Sequence, residues 1–202
     1  MNLVTTLFEF SWYFLFILTI QHSFKIHGKY PTLNFFIPLF ILVLIVEGFA
    51  VNIFHGFYYP NYNLYIINVP LGILLGWCII TYVSFYLGKK ILISELIESR
   101  IDLLKLSTTA ALIGLSIDLI LEPISSIWNL WIWIHPDIYF NASIENFISW
   151  FLIIFLFTSF YEYLSKKVKD ERKIFFLILF SLIPQVTILI TVIVIWKLTI
   201  NL

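Results

Sequence analysis

Residues 174–196 read IFFLILFSLIPQVTILITVIVIW. The run holds no charged side chain, and its only polar side chains are Ser181, Gln185, Thr187 and Thr191, apart from the indole of Trp196. A membrane-spanning helix needs about 20 mostly apolar residues, and this stretch supplies them without a break. Five further runs of the same kind lie upstream, near residues 3–20, 35–54, 64–87, 103–121 and 144–164. The whole chain agrees with its parts. Of its 202 residues, 61% are hydrophobic and 12% are charged, whereas a soluble domain keeps roughly 25% charged; the mean hydropathy is +0.98. The expected fold is all-α: a polytopic integral membrane bundle of about six transmembrane helices, forming a single domain over residues 1–202. The first run carries Glu9 and shows neither a basic leader nor a small-residue cleavage site, so it reads as a retained helix and not a signal peptide.

Charge sets the expected topology. Lys25 and Lys29 fall in the first connection, Lys89, Lys90, Arg100 and Lys105 in the third, and Lys166, Lys167, Lys169, Arg172 and Lys173 in the fifth. The second and fourth connections contain no Lys or Arg. By the positive-inside rule the odd connections face the cytoplasm, and both termini face outward from the cell (cytoplasmic) membrane. The mixed charges of SELIESRIDLLK, residues 94–105, suit a short interfacial helix. A formal net charge of zero offers no surface for nucleic acid, and the single cysteine, Cys78, excludes an intrachain disulfide framework. Pro38, Pro70, Pro123 and Pro184 fall in or beside the spans. Proline there marks a kink or a helix end, and for Pro123, followed by polar and tryptophan-rich sequence, a helix end is expected.

The fourth run ends SIDLILEPISSIWNLWIW, residues 116–133. Asp118 and Glu122 are four apart, one turn from each other on one helix face. An aspartate within a span costs roughly 2.5–3.5 kcal/mol on insertion scales, and such residues face a cavity or a partner. No Lys or Arg lies in the outer half of any span to pair with them. Two carboxylates in a dry site do not both ionise cheaply, so one is expected to keep a proton, which equips the pair for general acid and base work. The plainer alternative is an interfacial pair that reaches water at a helix end. Glu47 is a second buried-acid candidate, followed by Asn52, His55 and Tyr58, and the fifth run brings in Asn146 and Trp150. On the expected topology all of these gather near one membrane face. Helix capping or interhelical hydrogen bonding is the structural alternative for the two asparagines. Trp128, Trp131, Trp133, Tyr139 and Phe140 crowd the connection between the fourth and fifth runs. They form either an interfacial aromatic belt or a wall of π faces for a conjugated ligand or a cation.

Other chemistries lack their signatures. His22, His27, His55 and His135 make no pair at helical metal-ligand spacing. There is no doubled aspartate motif for Mg²⁺ and diphosphate, no phosphate-binding glycine loop and no nucleophile elbow. Asn141-Ala142-Ser143 forms a glycosylation sequon of low specificity.

The order of uncommon residues resembles the membrane carotenoid hydratases, a family that includes γ-carotene hydroxylase and bisanhydrobacterioruberin hydratase. The resemblance rests on Asp118, Glu122-Pro123, Trp131-Ile132-Trp133, Tyr139-Phe140, and Asn146-Phe147 with Trp150. Upstream it includes Glu47, the stretch 54–59 with Gly56, and Val69-Pro70 with Trp77. The chain departs from the pattern at Asn141-Ala142-Ser143, where the family reads Gly-x-Pro, and at His55. The resemblance implies a carotenoid biosynthesis enzyme that adds water to the terminal double bond of an acyclic carotenoid or similar polyprenyl lipid. It implies no cofactor, because hydration is redox-neutral, and no metal. Asp118, Glu122 and Glu47 would be catalytic. Asn52, His55, Tyr58, Trp128, Trp131, Trp133, Tyr139, Asn146 and Trp150 would bind substrate. Two rivals use the same carboxylates otherwise: a proton-coupled transporter or lipid-binding membrane protein, and a scaffold subunit whose polar cluster only fixes helix packing. A transporter needs polar residues toward both faces, and the inner halves of the spans look nearly free of them.

Overall fold

The computed structural model describes residues 3–92, 99–135 and 138–200. Six long helices run up and down through it: α1 (Leu3–His27), α2 (Lys29–Asn52), α3 (Leu71–Ile91), α4 (Arg100–Trp128), α5 (Ile144–Lys167) and α6 (Glu171–Ile200). Each is long and apolar enough to cross a membrane, and a helix satisfies its backbone internally where no water is at hand. The chain is therefore a multi-pass membrane protein. α3 sits centrally against α1, α2 and α4, α5 packs on α4, and α6 closes the bundle against α2 and α5.

Every Lys and Arg except Lys197 lies toward the end of the bundle that holds the first, third and fifth connections. There Glu162 is clasped by Lys89 at 2.7 Å and Lys166 at 3.3 Å, and Asn34 donates to Glu171. The inner halves are less apolar than expected. Thr32, Thr81, Ser84, Ser107, Thr158, Ser181 and Gln185 are all buried there. Most are small hydroxyls that return a hydrogen bond to their own helix or allow helices to approach, as Thr158 does to the Ile154 carbonyl.

Close approach is most demanding where α4 meets α5. A Cβ on Gly114 would overlap Ile154 Cδ1. We expect Gly114→Ala to force Ile154 off its rotamer at about 1–3 kcal/mol. Adding Ile154→Val, which removes the offending methyl, should restore most of the thermal stability measured in detergent. No recovery in the double variant would show that the loss has another origin.

Three expectations are corrected. The third span begins at Leu71 and not near residue 64. Ile67 and Asn68 have positive φ, and residues 65–70 form an antiparallel hairpin of β2 (Tyr65–Ile66) and β3 (Val69–Pro70). Pro70 is the N-cap of α3, a boundary where its missing N–H leaves no gap. Second, residues 99–105 are not a separate interfacial helix. Ser99 and Asp102 form a reciprocal capping box that starts α4, while residues 93–98 lie outside the described residues. Third, Pro123 does not end α4, which continues to Trp128. A proline at 123 leaves the carbonyl of residue 119 without its amide partner. The Tyr139 hydroxyl donates to that Leu119 carbonyl at 3.0 Å and so lets the helix run on.

That repair is testable. Tyr139→Phe should destabilise by about 0.5–1.5 kcal/mol by removing the donor to the Leu119 carbonyl. Pro123→Ala, which restores an amide N–H beneath it, should make the same tyrosine substitution nearly neutral. Equal losses in both backgrounds would refute the pairing.

Candidate active site

The two carboxylates of α4 come together with α5 because each helix presents a pair at four-residue spacing. Asp118 and Glu122 share one face of α4, Asn146 and Trp150 one face of α5. The Asn146 amide nitrogen donates to Asp118 Oδ2 and to Glu122 Oε1, at 2.9 Å each. Both acids are 1% exposed.

The chain after α4 turns back at Asn129, whose φ of 52° places it in the left-handed region, and the Ser125 hydroxyl receives the Trp131 amide. The segment then runs extended into β4 (Ile132–Trp133), which pairs with β1 (Phe57–Tyr58). Side chains two apart on an extended segment fall on one side. Trp131 and Trp133 thus both aim their indole N–H groups at Glu122 Oε2, at 3.1 Å each. This is the physical content of the Trp-x-Trp spacing.

Glu47 approaches from α2. Its Oε1 receives the Trp77 indole N–H and its Oε2 the Tyr59 hydroxyl, both at 2.8 Å. Burial first, then the neighbouring Glu47 charge, push the Tyr59 phenol well above its ordinary value of 10.0, so it stays protonated and donates. Trp77 stacks on Trp150 with ring centroids 3.7 Å apart.

These groups line a cavity of about 50 Å³ together with Phe8, Trp12, Phe57 and Ile73. No Lys, Arg or His lines it among the described residues. A water needs about 10–15 Å³ measured in this way, so the space admits a few waters or the branched tip of a chain, not its length.

The donor pattern distinguishes the three acids. Indole and amide N–H groups only donate. Glu122 and Glu47 have a donor on every carboxyl oxygen, which suits the ionised form. Asp118 has one on Oδ2 alone, and its buried Oδ1 has no hydrogen-bond partner among the described residues. If one of the three keeps a proton, Asp118 Oδ1 is the oxygen with room for it.

Of the expected substrate contacts, Trp131, Trp133, Asn146 and Trp150 line this cavity. The others lie elsewhere. Asn52 bonds the Gly48 and Ile67 carbonyls and Asn68, tying the hairpin to α2. His55 is exposed with positive φ. Tyr58 points away from the cavity because its strand neighbour Phe57 points in. Trp128 is half exposed at the end of α4, and the Tyr139 hydroxyl serves Leu119. Phe57, Tyr59, Trp77 and Trp12 line the cavity without having been read as site residues. Trp77, and Phe57 and Tyr59 within the stretch 54–59, had a signal in the family resemblance; Trp12 had none beyond composition.

Glu9 was also missed as a structural anchor. It is fully buried and accepts the Asn63 amide at 2.8 Å, the Asn63 side chain at 2.7 Å and the Leu64 amide at 3.2 Å, together with the Tyr13 hydroxyl. It binds the connection that carries Phe57 and Tyr59 over the cavity.

A family model described as "Carotenoid biosynthesis protein" matches residues 2–202. No curated protein and no solved structure matches the chain.

Proposed function

The chain belongs to the carotenoid biosynthesis protein family, and on that footing we propose that it adds water across the terminal double bond of an acyclic carotenoid end. The observation that carries this reading is the buried Asp118 Oδ1, without a hydrogen-bond partner among the described residues, beside two carboxylates whose oxygens are all engaged. Asp118 gives its proton to the less substituted alkene carbon, and the π pair forms the new C–H bond. The tertiary cation faces Glu122, Glu47 and five indoles, an arrangement suited to positive charge in a site of low dielectric. A water oxygen supplies the pair for the C–O bond. Its surplus proton passes to Glu122, which retains free lone pairs on Oε1, and returns to Asp118 across the groups that Asn146 links. No oxidant or reductant enters the balance. The tight cavity limits other water and other bases, which would return the cation to alkene. The basic end of the bundle is assigned to the cytoplasm by the positive-inside rule, which puts the site near the opposite face.

The test is a pigment analysis. The chain is expressed in bacterial cells that accumulate lycopene, and extracts are run by liquid chromatography with mass detection. A more polar pigment heavier by one water is expected. Verified membrane protein with no such product from lycopene, or from shorter and longer acyclic polyenes, would sink the proposal.

A further inference from the structure

A second, larger cavity of about 540 Å³ lies between α2, α5 and α6. It shares a wall with the inner cavity, because Glu47, Phe57, Trp77, Trp133 and Asn146 line both. Its rim is polar, with His135, Ser143 and Glu145; its depth is apolar, with Ile153, Val186, Leu189 and Ile190. Its volume lies in the range of sites that enclose a small molecule, about 300–1,000 Å³. The inner cavity is too small for more than a tip. The polar and apolar ends are ordered along the helix axes. Glu145, Ser149 and Ile153 descend α5 on one face, and α6, running the other way, descends from Ile193 to Val186.

We propose that this groove holds the terminal stretch of an acyclic polyene shaft and delivers its end past Glu47, Trp133 and Asn146 into the inner cavity. The proposal rests on the hydration reading for the identity of the chain. The apolar floor receives the chain from the bilayer, and the polar rim stops it, since burying an alkene end among His135, Ser143 and Glu145 gains nothing. The groove's length sets what it reads. From Glu145 to Ile153 the α5 wall runs about 12 Å at about 1.5 Å per residue, less than half of the ~30 Å hydrocarbon core. A polyene that spans the core extends well beyond it. The protein therefore recognises the end of the chain and not its total length, and acyclic polyenes of different length with the same end serve alike.

The experiment uses the full chain in membranes and lycopene as probe. The two readouts are pigment retained on the purified protein and hydrated product formed. Ile190→Trp and Ala50→Leu fill the groove from opposite walls; Ile183→Trp, on the exposed side of α6, is the control. Retention and product should each fall about tenfold or more in the two groove variants, a change of about 1.4 kcal/mol, and stay near wild type in the control. Wild-type conversion of a longer acyclic polyene should lie within about threefold of lycopene, less than 1 kcal/mol of discrimination. Groove variants that are folded yet retain and convert lycopene fully would overturn the groove assignment and leave hydration standing. Pigment retained by wild type, lost in the groove variants and never hydrated would uphold the groove and overturn hydration. A wild-type protein that retains no pigment, or a sharp preference for one chain length, would overturn the groove proposal.

Discussion

Asp118→Asn should lower the yield of hydrated pigment by about a hundred- to ten-thousand-fold, the range for removing a general acid, while leaving thermal stability close to wild type. The asymmetry follows from the hydrogen bonds. An asparagine side chain has the same shape and can still accept the Asn146 amide through its carbonyl oxygen, as Asp118 Oδ2 does at 2.9 Å. What it lacks is the acidic proton proposed for Oδ1, the oxygen without a partner among the described residues. Glu122→Gln makes an instructive contrast. Both Glu122 oxygens receive N–H donors, from Trp131, Trp133 and Asn146. An amide nitrogen in either place would face a donor with a donor, so this variant should lose stability as well as activity. Measuring both quantities for both variants separates a catalytic role from packing. Full hydration by Asp118→Asn would remove it as the acid. Equal destabilisation of the two variants would point to the scaffold reading, in which the cluster only fixes helix packing.

The largest loss of stability is expected from Glu9→Ala. The substitution leaves the Asn63 and Leu64 amides and the Asn63 side chain without their acceptor. An unsatisfied buried group costs about 1–3 kcal/mol, so the sum is on the order of 3–5 kcal/mol after partial relaxation. Hydration should fall too, although Glu9 belongs to neither cavity lining, because the loosened connection carries Tyr59 to Glu47 and Phe57 to the cavity wall. Glu9→Gln keeps one acceptor oxygen and should fall between wild type and alanine. A Glu9→Ala protein as stable and active as wild type would show that the connection is held by its other contacts, such as Asn52 with Asn68.

The six spans, their order and the collection of basic residues at one end were legible in the residues themselves. Hydrocarbon selects for uninterrupted apolar runs, and a run of about 20 residues has one economical structure there. The convergence of Glu47, Asp118, Glu122, Asn146 and Trp150 was legible as well. Antiparallel helices with short connections place the second half of α2, the second half of α4 and the start of α5 at the same depth. Four-residue spacing did the rest, since it determines which side chains share a face before any neighbour is known.

Partners across the chain were decided only by the tertiary structure. Pro123 reads as a helix end because its local effect is to break a hydrogen bond; the hydroxyl of Tyr139, sixteen residues on, repairs the gap. Tyr139, Asn52 and Tyr58 have the chemistry of substrate contacts, yet the fold uses or turns each of them elsewhere. Glu9 looks like a stray charge in a span until the hairpin connection folds onto it with three N–H donors. Among three carboxyl groups of like chemistry, Asp118 is distinguished by one oxygen that no donor reaches among the described residues. Periodicity and hydropathy are properties of neighbours along the chain, so the sequence by itself determined the spans and their faces. Hydrogen-bond satisfaction depends on residues brought together from far apart, so which carboxyl oxygens are engaged was decided by the packing of α2, α4 and α5 with the connections between them.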